Sequence, residues 1–220
     1  MERQQLTKRI GGISDDITRL GNTLNAINSA DIQRYPDNYE TLSIDAALRA
    51  EKIACQMRHL VYTTTNTKKS EYLQSAAVTH EIQIEDNDGI VEITLPCLLP
   101  KRKQRQSSEF LIDPIYAALD QYTNTHKIQR FSHCVVCFSH IYCRDLPKGR
   151  VRDYDNLELK QILDVIAAFV MVDDSGLLCD AYNTTELGEA DCTRISIMAQ
   201  NRFSEWLEKR KNSLKSICDF

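Results

Sequence analysis

No apolar run in this 220-residue sequence is long enough to cross a membrane, so no spanning helix is predicted. The first residues, Met1-Glu2-Arg3-Gln4-Gln5, lack the apolar core of a signal peptide. The eight cysteines are scattered and form no disulfide framework. Without an export signal they are expected as reduced thiols, and the protein as cytoplasmic. There is no excess of positive charge: 27 Lys and Arg stand against 31 Asp and Glu, a net charge of −4, so bulk composition does not advertise a nucleic-acid partner. Disorder is excluded by 42% hydrophobic and 26% charged residues, and a chain of this length can bury a stable core.

The charge is unevenly spread. Between Cys97 and Arg152 ten basic residues (Lys101, Arg102, Lys103, Arg105, Lys127, Arg130, Arg144, Lys148, Arg150, Arg152) face four acidic ones. A basic field inside an acidic protein suits a phosphate-binding face, and equally a solvated surface.

Leu6, Ile10, Ile13, Ile17, Leu20, Leu24 and Ile27 recur at alternating spacings of four and three, a heptad stripe. Gly11, Gly12 and Gly21 weaken that helix by about 1 kcal/mol each relative to alanine, so it needs a packing partner. Residues 35–38 read as a loop and 41–62 as a second helix, together a helical hairpin over 1–62 that packs internally, self-associates or binds a protein partner. The polar stretch from Thr63 opens a linker over 63–79. Residues 80–220 form the remaining domain. A β-hairpin turns at Asp86-Asn87-Asp88-Gly89, a helix covers 110–122, and a strand covers 131–143. Cys134 and Cys137 lie three apart in that strand and so point to opposite faces, which disfavours a shared zinc ion. Two further strands and a C-terminal helix with Phe203, Trp206 and Leu207 complete the order β-β-α-β-α-β-β-α. This is an α+β fold with a mixed or antiparallel sheet.

The most informative stretch runs from Arg150 to Gly176. Asp153 and Asp155 stand two apart beside Asn156. Leu159, Ile162, Leu163, Ile166, Phe169 and Val170 then recur at helical spacing, and Asp173-Asp174-Ser175-Gly176 follows. Two readings stand. Asp155 or Asn156 caps the helix and the second acidic pair makes a turn. Alternatively the helix returns Asp174 towards Asp153 and Asp155, and three carboxylates supply the hard oxygen ligands that Mg²⁺ or Mn²⁺ requires. Asn156, Lys160 and Asp164 fall on one helical stripe. Lys160 then either faces the site and contacts a phosphate, or pairs with Asp164.

The segment Arg152-Asp153-Tyr154-Asp155-Asn156-Leu157, with Leu163-Asp164 and Asp173-Asp174-Ser175, resembles the RusA-like Holliday-junction endonucleases. The separation of Asp155 from Asp174 is similar to that of the family, as is the basic run Lys148, Arg150 and Arg152. One departure is that the family's lysine, four residues after the second aspartate, is here Leu159, with Lys160 one residue later. The family's later lysine, after the second acidic pair, has no clear counterpart near residues 181–185. The resemblance covers roughly residues 90–198.

The resemblance implies a homodimer that nicks four-way DNA junctions with magnesium. Asp153, Asp155 and Asp174 would be metal ligands, Lys160 a catalytic group, and Asn156, Asp164 and Asp173 would support the site. Lys101, Arg102, Lys103, Arg105, Lys148, Arg150 and Arg152 would hold the DNA backbone. Two other expectations remain beside it: a branched-DNA binder that does not cut, and an interaction protein built on the helical hairpin.

Overall fold

The computed structural model describes residues 3–100, 109–146 and 148–218. The chain divides into two compact units, Met1–Tyr72 and Leu73–Phe220.

In the first unit the heptad stripe forms α1 (Arg3–Ser29), and α2 spans Pro36–Thr64. The two are antiparallel. Thr23 on α1 donates to Asp45 of α2 at 3.1 Å, while Asp16, further back on α1, accepts from Lys52 and Gln56, further on along α2. Ile13 and Ala46 are buried between them. Leu6, Leu20 and Ile27 are half-buried on the same side, but Ile10, Ile17 and Leu24 stay about half exposed. Only half of the heptad stripe is therefore used inside the unit. α2 starts at Pro36, within the residues expected as a loop. Proline suits the first turn of a helix, where its missing N–H is unneeded. The preceding turn is closed by the Asp31 carboxylate, which accepts from the Gln33 and Arg34 backbone N–H groups, each at 3.0 Å.

The stretch expected as a linker over 63–79 is mostly helical. α2 runs to Thr64, and α3 (Lys69–Thr79) follows. α3 buries only Leu73 and Ala77, one turn apart, too little apolar periodicity to read from sequence.

The second unit holds the sheet. β1 (Gln83–Asn87) and β2 (Ile90–Leu95) form the expected hairpin, with Asp88 (φ 54) and Gly89 (φ 76) both left-handed at its tip. α4 (Glu109–Thr125), β3 (Cys134–Cys143), α5 (Lys160–Val170), β4 (Cys179–Gly188), β5 (Cys192–Ala199) and α6 (Phe203–Cys218) follow. The strand order is β1-β2-β5-β3-β4. β3 and β4 are parallel and every other pair is antiparallel, so the sheet is mixed and the fold α+β, as expected.

Two clusters fill the two faces of the sheet. Val91, Ile93, Val136, Phe138, Ile195 and Ile197 face Leu111, Ile115 and Leu119 of α4 and Ile162, Ile166 and Val170 of α5. On the other face Val135, Cys137 and Met198 meet Phe203 and Trp206 of α6. Cys134 belongs to the first cluster and Cys137 to the second, the opposite-face placement that a period of two requires. β3 is buried on both sides, as expected of a strand with neighbours on each edge and helices on each face.

Candidate functional site

The Asp153-x-Asp155-Asn156 motif lies in the connection from β3 to α5, and Asp173-Asp174 lies in the connection from α5 to β4. Tyr154–Asn156 forms a short 3₁₀ turn in which the Asn156 N–H donates to the Asp153 carbonyl at 3.1 Å. Leu157 and Glu158 seat the loop. Leu157 is buried, and the Glu158 N–H donates to the Pro100 carbonyl at 3.0 Å. α5 begins at Lys160, after the 3₁₀ turn, so neither Asp155 nor Asn156 caps it. Glu158 reaches the first turn instead, accepting from the Gln161 N–H at 3.3 Å. Asn156 therefore also leaves the stripe predicted with Lys160 and Asp164.

Asp153 and Asp155 are exposed. Asp155 lines a cleft of about 250 Å³ with Lys160, Phe138, Ala181 and Asn183. The Lys160 ammonium contacts both Asp164 oxygens, at 2.9 and 3.0 Å, across one helical turn. Arg152 is tied into the fold, its guanidinium donating to the Leu99 carbonyl at 3.3 Å and its N–H to the Tyr142 hydroxyl at 3.2 Å. Lys148 is exposed on a separate 3₁₀ turn, Lys148–Arg150. Lys101, Arg102, Lys103 and Arg105, expected on the DNA backbone, lie outside the described residues.

The two acidic groups flank opposite ends of α5, whose 11 residues span about 16 Å. Past its far end Met171 pairs with Phe131, just before β3 begins, and the Cys179 N–H donates to the Ser175 carbonyl as β4 opens. Asp174 stands near enough to Cys179 for its charge to help raise that thiol's pKa, after burial as the main cause. The motif loop instead lies over the middle of the β3–β4 pair. There the Tyr154 ring packs 5.6 Å from His140, and its hydroxyl bonds Thr185 at 3.0 Å. Among the described residues, no group of three or more His, Cys, Asp or Glu side chains could hold a metal. The convergence of Asp153, Asp155 and Asp174 expected from sequence is not formed, because the α5–β4 turn feeds directly into β4 beside the start of β3.

Asp153 and Asp155 alone still match one mode of Mg²⁺ binding. This ion commonly takes one or two carboxylates and completes its octahedron with phosphate oxygens and water. Both are exposed hard oxygen donors, Asp155 within the Tyr154–Asn156 turn and Asp153 at its N-cap.

Sequence reading missed what lies beneath that turn. His140 is 1% exposed, and burial lowers its pKa and favours the neutral ring. Its Nε2 lies 3.5 Å from Asn183 Oδ1, and its Nδ1 is buried with no hydrogen-bond partner among the described residues. No local pattern signals it, because His140 comes level with Thr185 of β4 only once β3 and β4 are set in register.

The chain belongs to DUF6100, a family of unknown function whose model matches residues 2–220. No curated protein matches it. Among solved structures it is similar to the periplasmic domain of Helicobacter pylori MotB, with a TM-score of 0.31 and 12% identity over 60% of this chain and 88% of that one. It is also similar to a MotB-like protein from Desulfovibrio vulgaris, with a TM-score of 0.31 and 8% identity over 66% of this chain and 96% of that one. Likeness at that level carries no argument about fold or function.

Proposed function

We propose that this protein is a Mg²⁺-dependent endonuclease of branched DNA, similar to the RusA-like resolvases, acting as a homodimer in the cytoplasm. The observation that carries the reading is the placement of the motif. Asp153, Asp155 and Asn156 sit on an exposed turn before an amphipathic helix, and Asp173 and Asp174 on the turn after it, within one β3-α5-β4 unit. Asp153 and Asp155 would hold the metal, which supplies polarisation of a phosphate and activation of water. Lys148, exposed on the same connection, would bind the DNA backbone. Asp155 and Lys160 share the cleft into which a phosphate would enter.

A second reading, a branched-DNA binder that does not cut, is favoured by one specific observation. Lys160, the substitute for the family's lysine, is clamped on Asp164 while Leu159 occupies the family position.

The test is cleavage of a labelled four-way junction with Mg²⁺, Mn²⁺ or EDTA, comparing the native protein with Asp155→Asn. Paired, metal-dependent nicks lost in Asp155→Asn support the nuclease. Salt-sensitive junction binding without nicks selects the binder. Neither cleavage nor binding overturns both readings.

A further inference from the structure

We propose that the cleft between α1 and α2 is a nucleotide-binding site, with the phosphates held by Lys8, Arg9 and His59. This inference is independent of the nuclease reading.

The cleft has a volume of about 690 Å³, within the usual range for small-molecule sites. Its walls carry the cations Lys8 and Arg9, the His59 imidazole and the amides of Gln5 and Gln56, and among the described residues no carboxylate lines it. Its floor is apolar, formed by buried Ile13 and half-buried Leu60.

Pairing within the unit sharpens the point. Asp16 is engaged by Lys52 at 2.9 Å, and Asp45 by Arg49 at 2.6 Å. Lys8, Arg9 and the His59 ring have no ion pair or hydrogen bond with any described residue. The like charges of Lys8 and Arg9 on one cleft, with no counter-charge among the described lining residues, repel one another, and a bound polyanion relieves that. Gln56 adds a second unsatisfied group. Its Nε2 donates to Asp16 at 3.1 Å, while its Oε1 is buried with no partner. Gln56 lines the cleft, and an acceptor without a partner in its wall suits the exocyclic amine of a base.

Gly12 makes the room. A Cβ built there would meet nothing within 4 Å, so no packing inside the chain calls for glycine. Glycine is unfavourable at a helix interior, and at this position it keeps the cleft open.

The experiment uses the full chain and isothermal titration with ADP, inorganic pyrophosphate and adenosine as separate probes. ADP is expected to bind, pyrophosphate more weakly, and adenosine least. Lys8→Gln with Arg9→Gln should weaken ADP binding about tenfold or more, since each removes a charge-assisted contact. Arg34→Gln, at the other end of the hairpin, should leave it unchanged. Gly12→Leu fills the cleft while favouring the helix, so it should abolish binding without lowering the melting temperature. Failure of ADP to bind the native chain at millimolar concentration overturns the proposal. So does binding that survives both cleft variants. Duplex DNA binding lost in the Lys8/Arg9 variant, with no ADP binding, also overturns it and assigns these cations to DNA.

Discussion

Two glycines separate two kinds of space, and alanine at each should shift stability in opposite directions. At Gly21, inside α1, a Cβ meets nothing within 4 Å. Gly21→Ala therefore adds helix propensity without a clash, a gain of about 1 kcal/mol. At Gly188, the last residue of β4, a Cβ would stand 2.6 Å from Ile141 Cγ2. Ile141 is buried in β3 and cannot swing out, so Gly188→Ala should lose roughly 1–3 kcal/mol through overpacking. The chain offers a separate probe for the sheet unit. Its single tryptophan, Trp206, packs between Tyr182 of β4 and Phe203 of α6. Urea unfolding followed by Trp206 fluorescence and by helical circular dichroism distinguishes the two variants. With a urea slope of about 1 kcal/mol per molar for the smaller unit, Gly21→Ala should raise the helical midpoint by about 1 M. With a slope nearer 2, Gly188→Ala should lower the Trp206 midpoint by roughly 0.5–1.5 M. A lowered helical midpoint in Gly21→Ala, or an unmoved Trp206 midpoint in Gly188→Ala, would refute the packing argument.

Ile166→Ala should lower the Trp206 midpoint by the equivalent of about 2–5 kcal/mol, because Ile166 is fully buried in the cluster that joins α5 to the sheet. Lys160→Ala removes an exposed ion pair and should change stability by no more than about 0.5 kcal/mol. If the nuclease reading holds, the same variant should lose junction cleavage, so kinetics and a urea melt together separate the two roles. Hydrogen bonds from Lys52 and then Gln56 hold the Asp16 carboxyl below its ordinary value. Its contribution is full above the unfolded carboxyl pKa and is lost as pH falls through the lowered folded one. Asp16→Asn should therefore flatten the acid limb of the helical unit's stability profile, measured by circular dichroism from pH 6 to 2. Burial pushes the Cys134 and Cys137 thiols up to about 12, so both should resist a thiol reagent at pH 8 until the chain unfolds, while exposed Cys55 reacts at once.

The order of elements was legible because the apolar periods are strong. The helical spacing of Ile162, Ile166 and Val170 and the alternation in β2 both report burial directly. The extent of β4 was not legible. It is an edge strand whose Asp180, Ala181 and Tyr182 are all exposed, so its sequence shows no clean alternation. The start of α2 was missed because Tyr35-Pro36-Asp37-Asn38 has the composition of a turn, and proline is equally at home in a first helical turn. For the site, the motif and its loops were visible in sequence. The distance between those loops was not, because it depends on how the turn after α5 enters β4, which no local pattern encodes. His140 was visible as a residue, and its role under Tyr154 appears only when β3 and β4 are set in register.

The place of β5 has a consequence for how the chain is made. It is the last strand in sequence, yet it lies between β2 and β3 and joins the two halves of the sheet. On the ribosome, the α1–α2 hairpin can close as soon as Thr64 has emerged, since its contacts are local. The sheet cannot. Until Ala199 is clear of the exit tunnel, the β1–β2 hairpin and the β3–α5–β4 unit each present an open apolar edge, awaiting the same strand. A nascent chain that has emerged only as far as the turn between Gly188 and Cys192 would thus carry a finished helical unit and two unsealed half-sheets, a species that chaperones would have to hold.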